Sequence, residues 1–121
     1  MLTNKGKIVM AKLITLDILK KLQANNKIAS QTGESTPVIL KLFGGNCTWV
    51  INEIEPDGDT LLGLCDIGHG CCEYGTVSLN ELKSIRFPPF GLPIERDRYF
   101  KEGTIQSFRN YYQENNTLSG C

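Results

Sequence analysis

Between Leu61 and Leu82 the chain reads LLGLCDIGHGCCEYGTVSLNEL, and this stretch leaves few choices of local structure. An apolar run of Leu61, Leu62, Leu64 and Cys65 leads into Gly68 and Gly70, which supply the positive-φ freedom of a reversal, and a strand pattern resumes from Glu73 to Val77. The reading is a hairpin. Ser78 is followed three residues later by Glu81, the spacing at which a hydroxyl and a carboxylate reciprocally satisfy the free N–H groups of a first helical turn. A helix over 79–85 therefore follows the second strand directly, with Leu79, Leu82 and Ile85 on one face, and Pro88 and Pro89 prevent its continuation.

Upstream, Thr15 stands at a helix N-cap, Asp17 suits the positive end of the macrodipole, and Leu16, Ile18, Leu19 and Leu22 form an apolar stripe. The helix is expected over 16–24, with Asn25 and Asn26 as its stop and the polar stretch 27–36 as a surface loop. After Pro37, VILKLF reads as a strand, Gly44-Gly45-Asn46 as a turn, and 48–55 as the partner strand. In that partner Trp49, Ile51 and Glu53 are expected on one side and Val50, Asn52 and Ile54 on the other. Neither side is polar throughout, so the strand belongs at the centre of a sheet with material packed over both faces. Pro56-Asp57-Gly58-Asp59 is a turn signal in which proline presets φ and the Asp-Gly pair tolerates reversal.

The resulting fold class is α+β. A four-stranded, mainly antiparallel meander (38–43, 48–55, 61–66 and 72–77) is packed with three short helices (16–24, 79–85 and 105–113), the last capped by Thr104. A single α+β domain spans 12–113, between an N-terminal extension over 1–11 and a polar tail over 114–121 that is expected to fray.

Charge narrows the functional classes. Lys plus Arg is 13 and Asp plus Glu is 13, a formal charge of zero that disfavours nucleic-acid binding through bulk electrostatics. The first 21 residues carry no apolar run long enough for a signal peptide or a membrane span, and the five cysteines are odd in number with Cys71 and Cys72 adjacent. Reduced thiols, a cytoplasmic location and no membrane association are the expectation.

Five blocks, PVILKLF (37–43), TWVINEIEP (48–56), GLCDIGHG (63–70), EYGTVSLNEL (73–82) and GLPIERDRYF (91–100), occur in an order and spacing that resembles a small bacterial family of unknown function. That family is encoded mainly on conjugative plasmids, integrated elements and phages, often near antirestriction genes. The likeness covers residues 12–100. It implies a compact α+β fold and a particular genomic company, and it brings no catalytic residues or cofactor with it. Where this chain has His69 and Cys71-Cys72, similar proteins carry apolar residues and a proline, which weighs against a family-wide metal site there.

Four candidate chemistries remain to be placed. Cys65, His69, Cys71 and Cys72 offer zinc ligands within eight positions, but adjacent cysteines on a strand point to opposite faces and no CxxC pair frames them. A Cys-His69 nucleophilic pair lacks an orienting third group. Asp66 and Glu73, with the acidic turn residues 53–59, are candidates for Mg²⁺. Glu95-Arg96-Asp97-Arg98 reads either as a structural tie, an arginine forked onto Asp66 or Glu73, or as a recognition patch of Arg96, Arg98 and Tyr99 aided by Tyr111 and Tyr112.

Together with the resemblance these features predict a non-enzymatic accessory protein of a mobile element. It would bind a host or element-encoded protein, as an anti-CRISPR or antirestriction inhibitor of a defence nuclease does. A metal-dependent nuclease or nucleic-acid-processing factor is the alternative.

Overall fold

A computed structural model describes residues 13–121; the extension expected over 1–11 lies outside the described residues. Helix α1 runs from Leu16 to Thr32, strand β1 from Leu40 to Gly44, β2 from Cys47 to Ile54, β3 from Thr60 to Asp66 and β4 from Cys72 to Ser78. Helix α2 (Leu79–Ser84) follows without a break. Then come the short strands β5 (Arg86–Phe87), β6 (Leu92–Pro93) and β7 (Glu95–Arg96), and helix α3 (Ile105–Asn115).

The main sheet has five strands in the order β4-β3-β2-β1-β7, and every pairing is antiparallel. Four of these are the expected meander. The fifth is a correction: Glu95 and Arg96 pair with Phe43 and Leu42 and extend the sheet beyond β1. A two-residue strand is too short to show alternation, and its anchor is the buried Ile94 just before it. Strand β1 begins at Leu40 because Val38, expected inside it, instead donates its N–H to the Gly103 carbonyl.

Helix α1 also differs from expectation, continuing through Asn25 and Asn26 to Thr32. Asparagine stops helices by turning its amide onto nearby backbone, and here both amides are committed elsewhere. Asn25 Nδ2 donates to the carbonyls of Pro37 (3.0 Å) and Asn52 (2.9 Å), and Asn26 Nδ2 to Glu53 Oε1 (3.1 Å). Gly33, in the left-handed region at φ 72°, ends the helix by donating its N–H to Ala29 O.

Two apolar clusters sandwich the sheet. Leu22, Leu40, Leu42, Trp49, Ile51 and Leu61 belong to one, with α1 and α2; Val38, Val50, Leu64, Ile105, Phe108 and Leu118 form the other, beneath α3. Each fully buried leucine or isoleucine contributes roughly 1.5–3 kcal/mol by leaving water. Strand β2 is central, as its unpatterned faces imply, but its alternation is broken. The register slips between Ile51 and Glu53, which face Gly63 and Leu62, so Asn52 is the extra residue of a bulge. Ile54 consequently joins Trp49 and Ile51 on one face, where strict alternation puts it on the other.

At the bulge the strands approach so closely that a Cβ on Gly63 would collide with the Val50 carbonyl. The tight β1–β2 turn places Gly45 at φ 55° in the first of two turn positions, the twist that suits a two-residue hairpin. Helix α2 takes its cap as predicted, with Ser78 Oγ accepting from Glu81 N at 3.2 Å. The carboxylate at the helix start belongs to Asp59, which accepts from Ser78 Oγ (2.7 Å) and Asn80 N (2.8 Å).

Candidate functional site

The β1–β7 edge carries a groove of about 520 Å³ whose walls include Lys41, Phe43, Arg96, Arg98, Tyr99 and, from the tail, Gly120. Its floor comes from strand alternation: Leu40 and Leu42 pack into the core on one face of β1, which turns Lys41 and Phe43 to the other. Lys41 is buried, and its ammonium stands 3.7 Å from Asp97 Oδ2 while donating to the Cys121 carbonyl at 3.4 Å. Asp97 is fixed in turn: its N–H donates to Lys41 O (3.0 Å), and its other carboxylate oxygen accepts from Tyr99 N (2.9 Å). One carboxylate therefore neutralises the buried cation and shapes the backbone that presents Tyr99.

The rim is of a different character. Tyr99 is 92% exposed, the most exposed large hydrophobic side chain among the described residues, and Phe43 is partly exposed beside it. Arg98 is exposed and has no side-chain partner among the described residues, whereas Arg96 is half-buried and donates from Nη1 to Leu13 O at 3.0 Å. An aromatic and an arginine held on a fixed backbone are the residue types enriched at interface hot spots.

Of the sequence candidates, Arg96, Arg98 and Tyr99 converge on this groove. Tyr111 and Tyr112 do not reach its rim. Both are half-buried on α3; the Tyr111 hydroxyl donates to Ser119 O at 3.1 Å, steadying the tail that walls the groove. The Tyr112 hydroxyl is buried without a hydrogen-bond partner among the described residues; burial, then the neighbouring Asp66 carboxylate, holds its acidity below that of a free phenol.

The structural tie expected from the charged run is corrected. Asp66 is occupied by the tail, accepting from Leu118 N (2.9 Å) and Thr117 Oγ1 (3.4 Å) as well as from Gly68 N (3.0 Å). Glu73 is exposed and accepts from Cys71 Sγ at 3.0 Å. The late segment is bound to β1 through Lys41 and Asp97, not to the β3–β4 hairpin through an arginine fork. The tail itself, expected to fray, folds back to bury Leu118 completely.

The metal candidates are dispersed. Cys65 packs toward the α1 side of the sheet and Cys72 toward the α3 side, while His69 and Cys71 are exposed on and beside the turn. Asp66 lies across from Cys72, so Glu73, one residue on, points to the opposite face. Among the described residues no three His, Cys, Asp or Glu side chains are grouped to hold a metal ion. All five thiols are free, and each is held above the ordinary thiol pKa, by burial first at Cys47, Cys65, Cys72 and Cys121 and by the Glu73 contact first at Cys71. Cys65 and Cys72 are pushed up to about 11, the reverse of what a thiolate nucleophile needs.

Sequence reasoning missed Lys41, Asp97 and the tail. A lysine inside VILKLF was the available signal for the first, since alternation places it with Phe43 on one face. It also missed a buried polar network at the bulge. Glu53 Oε2 accepts from Thr36 Oγ1 (3.1 Å) and Asn52 Nδ2 (3.5 Å), and Asn52 Oδ1 accepts from Tyr74 OH (3.0 Å). With Asn26 Nδ2 on the other Glu53 oxygen, these bonds join α1, the 33–39 segment and strands β2 and β4, with no countercharge to Glu53 among the described residues.

No helix among the described residues is long and apolar enough to cross a membrane. No curated protein and no solved structure matches the chain. Residues 13–118 match the model of a family described as protein of unknown function (DUF2958), a span that takes in the five-stranded sheet, the three described helices and the groove residues from Lys41 to Tyr99, and the chain belongs to that family.

Proposed function

We propose that this chain is a non-enzymatic accessory protein of a mobile genetic element that binds a host or element-encoded protein, and that its effect is to inhibit a host defence nuclease of the CRISPR or restriction type. The observation that carries the binding part is the Tyr99–Arg98 rim: a nearly fully exposed aromatic and an exposed arginine on a backbone held by Asp97. Preorganisation of this kind lowers the ordering cost of association. The defence-nuclease part rests on the genomic company that the sequence resemblance implies.

A metal-dependent nuclease would need carboxylates that converge, and Asp66 and Glu73 point to opposite faces of the sheet. The zero net charge likewise favours a protein partner over nucleic acid. The binding reading calls for no cofactor.

The test is plasmid transformation into bacteria carrying an active restriction or CRISPR nuclease. Expression of the wild-type chain raises transformation efficiency, and the Arg98→Ala Tyr99→Ala variant does not. Equal protection by that variant contradicts the assigned surface, and no protection in any nuclease-proficient host contradicts the inhibitor role.

A further inference from the structure

The two edges of the main sheet are built differently. At one, β7 is two residues long and carries Glu95 and Arg96, the short, charged kind of edge that resists further pairing. At the other, β4 is seven residues long and in unbroken register with β3 from Thr60–Ser78 to Asp66–Cys72. It holds no proline, no lysine and no bulge, and Glu73 is its single charge.

The hydrogen-bond alternation identifies the unpaired backbone groups. Leu79 N donates to Asp59 O, and Thr60 O accepts from Glu55 N on the side away from β4. The Ser78 carbonyl, at the N-cap of α2, is taken by the first helical turn; residues 73, 75 and 77 bond inward to β3, leaving the N–H and C=O groups of Cys72, Tyr74 and Thr76 and the N–H of Ser78 facing out. Among the described residues no backbone group pairs with them.

We infer that this edge pairs with a second copy of the chain, β4 against β4, antiparallel about a two-fold axis at Gly75. In that register Tyr74 faces Thr76 of the second copy, each N–H and C=O meeting an outward partner, and Cys72 faces its Ser78, whose N–H meets the Cys72 carbonyl. Glu73 faces Val77, so the two carboxylates are not set against each other, and the Tyr–Thr pairs are of the aromatic and β-branched type that stabilises antiparallel strands. Gly75 meets Gly75. A Cβ there would touch nothing among the described residues, and a strand glycine with open space beside it suits close approach of another backbone. Helix α2, which leaves the end of β4, buries Leu79 and Leu82 on the α1 side of the sheet, and Tyr74 and Thr76 on the edge strand are exposed.

The junction joins two five-stranded sheets into one of ten. With seven residues a side it falls below the roughly 1,200 Å² of buried surface typical of stable complexes, so it is a weak association populated from micromolar to millimolar concentration. It lies at the opposite edge from Tyr99 and is independent of the proposed partner.

Sedimentation velocity of the full chain in reducing buffer, from micromolar to millimolar concentration, tests it alongside Thr76→Pro and Thr76→Lys. Proline at 76 removes one outward N–H and no bond to β3; lysine places a charge on an exposed side chain. For the wild type the weight-average mass rises from 13.5 kDa toward twice that value, while a variant with unchanged far-UV circular dichroism stays at 13.5 kDa. A wild type that stays at the monomer mass throughout, or association that persists in a folded Thr76→Lys variant, overturns the proposal.

Discussion

The Lys41 ammonium and the Asp97 carboxylate lie 3.7 Å apart, with the lysine side chain 8% exposed and the aspartate 28% exposed. The pair is asymmetric: Asp97 retains contact with water, and Lys41 is nearly cut off from it. Losing Asp97 therefore strands a charge, whereas losing Lys41 leaves a carboxylate that solvent can reach. Asp97→Ala is expected to cost about 2–3 kcal/mol and Lys41→Met under about 1.5 kcal/mol, because an unpaired buried charge is the expensive outcome. Urea denaturation of the two variants checks the order; a larger loss in Lys41→Met contradicts this reading of the pair.

The tail is structural. Leu118 is wholly buried under α3, and its N–H is received by Asp66. Leu118→Ala is expected to lose about 2–4 kcal/mol through lost burial and the cavity left behind. Asp66→Ala is expected to expose the Leu118 amide to exchange while the β2–β3 amides stay protected. Hydrogen exchange followed by NMR reads both, and an unchanged Leu118 exchange rate in Asp66→Ala would show that the tail is held by something else.

Gly63 and Gly75 face each other across β3 and β4 and should respond in opposite ways to one added methyl. At Gly63 the new Cβ meets the Val50 carbonyl and the Ile51 Cα, both backbone atoms that cannot swing aside; at Gly75 it meets open space. Gly63→Ala is expected to destabilise by about 2 kcal/mol or more, and Gly75→Ala to stay within about 1 kcal/mol of the wild type. Thermal melts of the two variants decide it.

These contrasts show why part of the molecule was legible in its sequence and part was not. The four long strands and their turns follow from local rules: alternation in VILKLF, glycine at 45 and the Pro56–Gly58 turn act within a few residues. The end of α1 was misjudged because Asn25 and Asn26 spend their amides on Pro37, Asn52 and Glu53, partners distant in the chain. The bulge at Asn52 depends on Gly63 in the next strand, and the fifth strand on Leu42 and Phe43, so neither has a local signature. For the groove, Arg98 and Tyr99 announced themselves by residue type. Lys41 and Asp97 did not, because their importance comes from being brought together.

Thiol titration gives the pH dependence its sign. Cys65 and Cys72 have folded-state pKa values raised from the ordinary 9.0 to about 11, by burial before any other cause. Between those two values the unfolded chain has released protons that the folded chain still holds, so stability falls as pH rises through this window and is unaffected by these groups below it. The melting temperature should therefore drop from pH 8 to pH 10.5 more steeply in the wild type than in Cys65→Ser Cys72→Ser, a comparison over roughly the raised-thiol window. Parallel slopes would contradict burial as the cause.

The central claim is that the Tyr99 groove holds a protein partner. It is tested most directly by affinity purification of the tagged chain and of its Arg98→Ala Tyr99→Ala variant from a bacterial host, with nuclease treatment and quantitative mass spectrometry. The account predicts one nuclease-resistant protein enriched with the wild type and reduced about 30-fold or more with the variant, the effect of losing roughly 2 kcal/mol at a hot spot. Recovery of nucleic acid alone, or of the same protein undiminished by the variant, contradicts it.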